Sequence, residues 1–175
     1  MQTNLLIIYS SVDGQTLKIC NALTKQLEEH QQPVDLFSID TFQGDLSAYS
    51  KIVIGSSIRY GVHNKKIIEF IKSHKEELES KTSVFFSVNL VARKPEKSAP
   101  ETNTYVVKFF KTIDWKPTLV EVFAGKIDYK KYSFFDRIMI QLIMWMTHGP
   151  TNRDAEIEYT KWDRVHAFGE KLRTL

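Results

Sequence analysis

Hydrophobic residues along the chain alternate between short continuous runs and longer stretches in which they recur every three or four positions. The short runs are typical of strands buried on both faces of a sheet, and the recurring positions are typical of helices. Five runs predict strands, at residues 5–9, 34–37, 52–54, 83–88 and 119–123, with helical stretches between them. This alternation predicts a single α/β domain, residues 1–175, in which helices cover both faces of a parallel sheet.

Three helix positions follow from local signals. Residues 67–78 form one helical stretch, and Pro100 is expected to open the next helix, since proline is tolerated in a first turn. Thr160 and Asp163 are expected to form a capping box at the start of the last helix. Right-handed crossovers between five parallel strands favour the strand order 2-1-3-4-5.

The composition is that of an ordinary soluble globular chain. It does not indicate a nucleic-acid-binding, disulfide-bonded or membrane-spanning protein. A formal net charge of +3 is too weak to indicate nucleic-acid binding without a clustered basic patch. Cys20 is the only cysteine, so no internal disulfide is possible, and its thiol is expected to be buried in the first helix. The start of the chain lacks the basic segment of a signal peptide, and no run of 18 apolar residues predicts a membrane-spanning helix.

The loop after the first strand has the composition of a phosphate-binding turn. Residues 10–16, SSVDGQT, combine small hydroxyl side chains with one glycine and lead directly into a helix. Backbone N–H groups at a helix start bind a phosphate without any lysine. The loop lacks the Gly-Lys-Ser/Thr of a Walker A motif and the glycines of a dinucleotide fingerprint. An ordinary capped turn is the alternative interpretation of the same residues.

Asp13 is the unusual residue in this loop, because its negative charge should repel a phosphate. If backbone amides and the hydroxyls of Ser11 and Thr16 hold the phosphate, the side chain at position 13 need not face it. We expect Asp13 to turn outward and to cap the helix through the backbone amide of Thr16. A receiver domain is excluded, because strand three ends in IGSS without an aspartate and strand five ends in FAG without a lysine.

Six residues in and before this loop resemble the FMN-phosphate signature of flavodoxins: Ile7, Ile8, Tyr9, Ser11, Gly14 and Thr16. The resemblance implies a flavodoxin-like three-layer sandwich that binds one FMN through three loops. Either Arg59 or Tyr60 would stack on the flavin, or Tyr60 would pack under the following helix. The implied cofactor contacts are Ser10, Ser11, Val12, Asp13, Gly14, Gln15 and Thr16, then Ser57, Ile58, Arg59, Tyr60 and Gly61, and finally Ser87, Val88, Asn89, Leu90, Val91 and Ala92.

Four segments together resemble the flavodoxin-like, quinone-dependent protoporphyrinogen oxidases: DGQT, IGSSIRYG, NLVARKPEK and IDYKKYSFFDRIMIQLIMWM. The resemblance covers essentially the whole chain. It implies the oxidation of protoporphyrinogen IX to protoporphyrin IX in heme biosynthesis, in three two-electron steps, with electrons passed to menaquinone or ubiquinone. Because the chemistry takes place on FMN, no protein residue is predicted as a catalytic acid or base. The implied partners of the two substrate propionates are Arg59, Arg93, Lys94 and Lys97.

Two other functions stay open from the sequence. One is a flavodoxin-type electron carrier that docks redox proteins, and the other is an FMN-dependent NAD(P)H:quinone reductase. Electron carriers of this kind are usually acidic and lack an apolar basic insert, whereas this chain has a net charge of +3 and contains such an insert.

An insert of about residues 126–157 separates the fifth strand from the last helix, and residues 134–146 of it are almost entirely apolar. A helix of that length spans roughly 20 Å, too little for the ~30 Å hydrocarbon core, but it can lie in the membrane interface. We therefore expect peripheral contact with a quinone or with the cytoplasmic face of the inner membrane, and a core or dimer-interface helix is the alternative. The expected contact residues are Tyr132, Phe134, Phe135, Arg137, Ile138, Leu142 and Trp145.

The histidines give no sign of a metal site. They stand at positions 30, 63, 74, 148 and 166, and no pair shows the spacing of metal ligands. No metal is therefore predicted. His63, just past the second flavin loop, is expected to lie at the surface, with a proton shuttle as the alternative.

Overall fold

The computed structural model describes residues 4–175, in which five parallel strands form the centre of the main sheet. The strands are β1 (Leu5–Ser10), β2 (Val34–Ser38), β3 (Lys51–Arg59), β5 (Thr82–Asn89) and β6 (Leu119–Ala124). A short strand β4 (Val62–His63) pairs antiparallel with β3 as a hairpin. The order β2-β1-β3-β5-β6 confirms the predicted order 2-1-3-4-5 once β4 is set aside. The order reverses between β1 and β3, which is where ligands bind in such sheets.

Alternate residues of β1 face opposite sides of the sheet. Leu5 and Ile7 pack in one cluster with α1 (Gln15–Glu29) and α6 (Trp162–Thr174). Leu6 and Ile8 pack in a second cluster with α2 (Lys65–Ser73) and α4 (Thr104–Thr112). All four side chains are fully buried, and burial of one such side chain is worth about 1.5–3 kcal/mol. The sheet therefore lies between two layers of helices, as predicted.

The predicted helical stretch of residues 67–78 is two helices. α2 ends at Ser73, and α3 (Lys75–Glu79) follows His74, whose backbone is not helical (φ −115°, ψ 19°). The His74 Nδ1 atom lies 3.0 Å from the Phe70 carbonyl oxygen. The backbone N–H of His74 donates to the same carbonyl oxygen at 3.0 Å, so both groups of His74 close the end of α2.

The helix after β5 begins at Thr104 rather than near Pro100, so the predicted start is wrong. Asn103 is fully buried, and its side-chain oxygen accepts hydrogen bonds from the backbone amides of Tyr105 and Val106. Asparagine is among the strongest helix caps, and here it overrides the signal from the proline.

The predicted capping box of Thr160 and Asp163 is also wrong. α6 follows Lys161 and has no side-chain cap. The Thr160 hydroxyl instead donates to the Ala124 carbonyl at 2.6 Å and accepts from the Gln15 side-chain amide at 2.9 Å. Thr160 thus joins the end of β6 to the start of α1.

The insert between β6 and α6 is a folded unit. The strand β7 (Lys126–Asp128) precedes α5 (Phe134–Met146) in the sequence, the strand β8 (Glu156–Glu158) follows it, and the two strands pair antiparallel. The presence of α5 confirms the predicted apolar helix. Within residues 4–175, no helix has both the length and the apolarity needed to cross a bilayer. The insert has a small core of its own, formed by Ile127, Tyr129, Tyr132, Ile140 and Met144.

Candidate functional site

A cleft of about 810 Å³, including its open mouth, lies at the carboxyl ends of β1, β3 and β5. This is the edge of the sheet at which ligands bind in folds of this order. All three predicted loops reach it. The predicted contacts that line the cleft are Ser11, Val12, Asp13, Gln15 and Thr16, then Ser57, Ile58, Arg59, Tyr60 and Gly61, and finally Val88, Asn89, Leu90 and Val91.

Four predicted cofactor contacts do not line the cleft. Ser10, Ser87 and Ala92 are buried, with at most 5% of each residue exposed. Gly14 uses its backbone N–H to bind the Ser11 hydroxyl oxygen at 3.1 Å. These four residues shape the loops rather than facing the open space.

The start of α1 has the features of an anion site. Gly14 adopts the left-handed conformation (φ 89°), and no side chain in the described part of the chain caps the helix, so its first backbone N–H groups lack a side-chain acceptor there. Thr16 is 1% exposed, and its hydroxyl has no hydrogen-bond partner within residues 4–175. Buried hydroxyls are almost always paired. An orphaned hydroxyl beside uncapped amides fits a bound phosphate, such as that of FMN.

Asp13 does not cap α1, so the predicted cap is wrong. Its carboxylate instead accepts a hydrogen bond from Arg59, with 2.9 Å between Nη1 and Oδ2. Partial burial raises the pKa of the Asp13 carboxyl, Arg59 opposes that shift, and the negative charge of Asp136 adds to it. Asp13 is an exposed residue, and its charge is compensated by an arginine at the end of β3.

Arg59 also contacts the insert. Its Nη2 atom donates to Asp136, in the first turn of α5, at 2.8 Å. The hydroxyl of Ser133, the residue that caps α5, donates to the same carboxylate at 2.9 Å, and so does the hydroxyl of Tyr60. The bonds from Tyr60 and Ser133, together with Arg59, lower the pKa of Asp136. Arg59, a predicted propionate partner, is thus already paired with two carboxylates.

The turn between β3 and β4 holds Tyr60 in a strained backbone conformation. The φ angles are 50° at Tyr60 and 79° at Gly61, and Arg59 pairs with Val62 across the turn. Positive φ at both central residues is typical of a type I′ hairpin, in which tyrosine is uncommon. Tyr60 is 55% exposed, so it lies at the rim of the cleft and is not packed under the following helix.

The other three predicted propionate partners are not gathered in one place. Arg93 lines the cleft, and its guanidinium donates to the carbonyl oxygens of Leu90 (2.9 Å) and Thr147 (3.1 Å). Lys94 and Lys97 lie outside the lining of the cleft, and Lys97 borders a separate groove beside α4. Arg93 is therefore the predicted cation that faces the cleft without a carboxylate among its hydrogen-bond partners.

α5 has one face in the cleft and a second, apolar face in solvent. Ile140 and Ile143 line the cleft together with Tyr132, which is only 5% exposed and so can contact a quinone there but not a membrane. Arg137 is partly buried, and its Nη2 donates to the Tyr132 carbonyl oxygen at 3.5 Å. We call the solvent-facing side the outer face of α5. Its exposed apolar residues are Phe134, Phe135, Ile138, Met139, Leu142, Trp145 and Met146.

Five lining residues are absent from all of the predicted site residues: Tyr105, Gly125, Lys126, Ile140 and Ile143. Gly125 and Lys126 directly follow β6, so the rule that ligands bind at carboxyl ends of strands would have found them. Ile140 and Ile143 have helical spacing, but almost every residue of α5 is apolar. The sequence therefore does not show which side of the helix faces the cleft. No sequence signal marks Tyr105.

His63 is buried, so its predicted surface position is wrong. It is 4% exposed, and its Nε2 atom lies 2.9 Å from the Ser87 hydroxyl oxygen. Ser87 accepts from the Asn89 side chain at 3.1 Å, and Asn89 accepts from Asn103 at 3.1 Å. Burial lowers the pKa of His63 to about 3, so the imidazole is neutral at physiological pH. This network joins the hairpin, the end of β5 and the start of α4.

Comparison with known proteins gives consistent matches over most of the chain. The family model described as a flavodoxin domain matches residues 6–154. The protoporphyrinogen IX dehydrogenase (quinone) of Escherichia coli strain K12 is 41% identical over 171 residues, which cover 97% of this chain and 94% of that protein. The protein of the same name from Leishmania major is 41% identical over 173 residues, covering 97% of this chain and 74% of that protein.

Solved flavodoxin structures share the fold. A flavodoxin from the domain Archaea matches with a TM-score of 0.54 and 13% identity over 98% of this chain and 97% of that one. Oxidised flavodoxin 1 from Bacillus cereus matches with a TM-score of 0.52 and 11% identity over 98% of each chain.

Replacing Thr16 with valine should weaken FMN binding without weakening the fold. If the Thr16 hydroxyl bonds the phosphate, the variant loses a hydrogen bond to a charged group, worth about 1.5–3 kcal/mol, so Kd should rise roughly 10- to 100-fold. Thr24→Val is the matched control, because the Thr24 hydroxyl is also buried without a partner in the same helix. Fluorescence titration with FMN checks this, and an equal effect of both substitutions would contradict the assignment.

Acid should destabilise the protein through His63. Its pKa in the folded state, about 3, lies below the ordinary value of 6.5, so between those values the unfolded chain binds a proton that the folded chain does not. Stability from this group is complete above pH 6.5 and should fall by about 2 kcal/mol between pH 7 and pH 5. The free energy of unfolding is measured by urea titration of wild type and His63→Gln at both pH values. His166→Gln is the control, because His166 is exposed. Equal pH slopes in wild type and His63→Gln would exclude the effect.

Proposed function

The chain belongs to the flavodoxin-domain family and, within it, to the quinone-dependent protoporphyrinogen IX dehydrogenases; we propose that it oxidises protoporphyrinogen IX to protoporphyrin IX with FMN as cofactor and a quinone as electron acceptor. The observation that carries this function is the extent of the identity with those enzymes. Because the alignment covers 97% of this chain, it contains almost all of the insert as well as the sheet. The same reaction places the chain in heme biosynthesis.

The residues at the start of α1 suit the phosphate of FMN. The uncapped amides and the orphaned Thr16 hydroxyl supply donors where the helix dipole is positive. The segments 57–61 and 87–92 then flank the flavin ring, as the flavodoxin signature implies. When bound, FMN supplies the two-electron chemistry that links the porphyrinogen to the quinone.

Arg93 is the proposed partner of a substrate propionate. It lines the cleft, and its hydrogen bonds go to carbonyl and hydroxyl oxygens, so its positive charge is not cancelled by a carboxylate. A guanidinium and a carboxylate form strong, directional hydrogen bonds. Lys94 and Lys97 lie outside the cleft lining, so Arg93 is the preferred partner among the three.

An electron carrier and an NAD(P)H:quinone reductase are the rival functions. A carrier needs an exposed flavin edge for a protein partner, whereas here α5 supplies Ile140 and Ile143 as an apolar wall of the cleft. The net charge of +3 also differs from the usual acidity of such carriers. Both features count against the electron-carrier function.

An anaerobic assay separates these functions. Protoporphyrinogen IX should bleach the flavin absorbance of the FMN-loaded protein, because FMN accepts the first electron pair. Added water-soluble quinone should restore that absorbance and let fluorescent protoporphyrin accumulate, because the remaining two-electron steps need a reoxidised flavin. NADPH should leave the flavin oxidised under the same conditions. Bleaching by NADPH but not by the porphyrinogen would establish the reductase instead.

The outer face of α5 is proposed to bind the cytoplasmic face of the inner membrane peripherally. Phe135 and Trp145 are 77% and 70% exposed, an arrangement that costs free energy in water. Lys130 and Lys131, just before α5, are exposed cations that suit anionic headgroups. Since α5 has 13 residues, or roughly 20 Å, it lies along the interface rather than across the bilayer.

This orientation brings the cleft close to a lipid-dissolved quinone. Ile140 and Ile143 are in the cleft wall on the same helix whose outer face meets the lipid. A menaquinone or ubiquinone could then move from the lipid past α5 into the cleft without passing through bulk water. Self-association through the outer face is the competing explanation of its apolar character.

Replacing Phe135 and Trp145 together with serine should abolish vesicle binding while leaving the cleft intact. Co-sedimentation with anionic phospholipid vesicles should fall at least 10-fold, as expected when two large apolar side chains leave the interface. Turnover with a water-soluble quinone should persist.

Phe37→Ser, on the edge strand β2, is the control for loss of an exposed phenylalanine elsewhere. Vesicle binding that survives the double substitution would contradict the membrane proposal. A change from dimer to monomer without any change in vesicle binding would assign the face to self-association.

A further inference from the structure

Arg59 joins three segments that are distant in the sequence. Its guanidinium forms ion pairs with Asp13 of the loop after β1 (2.9 Å) and with Asp136 of α5 (2.8 Å). Its Cζ atom also lies 5.8 Å from the ring centroid of Tyr132 in the insert. The side chains of Arg59 and Asp136 are 24% and 18% exposed, so this ion pair is partly shielded from solvent. Shielded pairs with fixed geometry are screened less than pairs on an open surface.

A phosphate at the start of α1 lies in the same short loop as Asp13. A phosphate monoester carries nearly two negative charges at neutral pH, and residues 10–16 contain no lysine or arginine. Within residues 4–175, Arg59 is the one basic side chain that pairs with Asp13. Without Arg59, an uncompensated carboxylate would repel the phosphate.

The guanidinium of Arg59 also holds the insert in place. Asp136 lies in the first turn of α5, where a carboxylate is also favoured by the helix dipole. Ser133 and Tyr60 donate to it as well, but Arg59 is the cation that pairs with it in the described part of the chain. The start of α5 is therefore attached to the end of β3 and its hairpin through this ion pair and the hydrogen bond from Tyr60.

We propose that Arg59 ties the phosphate site to the insert: it neutralises Asp13 so that the loop accepts the phosphate of FMN, and it anchors α5 against the cleft through Asp136. The inference rests on the proposed binding of FMN. It makes Arg59 a positioning residue rather than a ligand of FMN or of the substrate. The two contacts use different atoms, Nη1 and Nη2, so substitutions can separate them.

The first test measures FMN binding to the full-length Arg59→Gln, Asp13→Asn and doubly substituted proteins by flavin fluorescence. Arg59→Gln should raise Kd at least 10-fold, because Asp13 is left unpaired beside the phosphate. Asp13→Asn should bind within about 3-fold of wild type, and the double variant should recover most of the lost affinity. A double variant as weak as Arg59→Gln would mean that Arg59 binds the phosphate directly, which overturns the inference. If wild type itself does not bind FMN, the proposed function fails, and this inference falls with it.

The second test follows hydrogen exchange of residues 134–146 in the same proteins and in Asp136→Asn. Exchange should accelerate at least 10-fold in Arg59→Gln and Asp136→Asn, while Asp136→Asn keeps an FMN Kd within about 3-fold of wild type. Arg59→Lys should retain FMN affinity through its charge but lose the anchor, because an ammonium group cannot hold both carboxylates in a fixed fork. Unchanged exchange in Arg59→Gln and Asp136→Asn would overturn the anchoring role, and slow exchange of the β1 amides verifies that each variant is folded.

Discussion

The uncapped start of α1 is the constraint on which the whole site depends. Parallel strands end at one edge of the sheet, and there the described part of the chain provides no side-chain cap for α1 and no partner for the buried Thr16 hydroxyl. An anion would satisfy them, and the carboxylate of Asp13 in the same loop would then need a cation. Arg59 supplies it from the end of β3, and the insert is attached to the same guanidinium. The cofactor loop, the hairpin and α5 thus form one electrostatic unit.

The sheet and the first loop could be predicted because their signals are local or follow from chain geometry. Apolar runs mark strands buried on both faces, and right-handed crossovers leave few strand orders. The pairs that complete the site join residues far apart in sequence, 46 positions for Asp13 with Arg59 and 77 for Arg59 with Asp136. No periodicity contains such information, and the local sequence around Asp13 indicates only a helix cap. The burial of His63 cannot be predicted for a related reason, since a two-residue strand is too short to show which side faces the core.

The insert shows why apolar composition alone does not identify a contact surface. Ile140 and Met144 belong to the small core of the insert, Ile143 lines the cleft, and Phe135 and Trp145 are exposed. Each position is apolar for a different physical reason. The sequence predicts one apolar helix correctly, but only the packing of Tyr132 and its neighbours divides that helix into an inner and an outer face.

The strained turn at Tyr60 has a consequence for anyone who engineers this protein. A non-glycine residue with φ of 50° costs about 1–3 kcal/mol, and glycine or asparagine would occupy the position with less strain. Selection for heat resistance would therefore favour replacing this tyrosine early. The more stable protein would lack an aromatic ring at the mouth of its cleft. A gain in thermal stability and a loss of function at the cleft would therefore come from the same substitution.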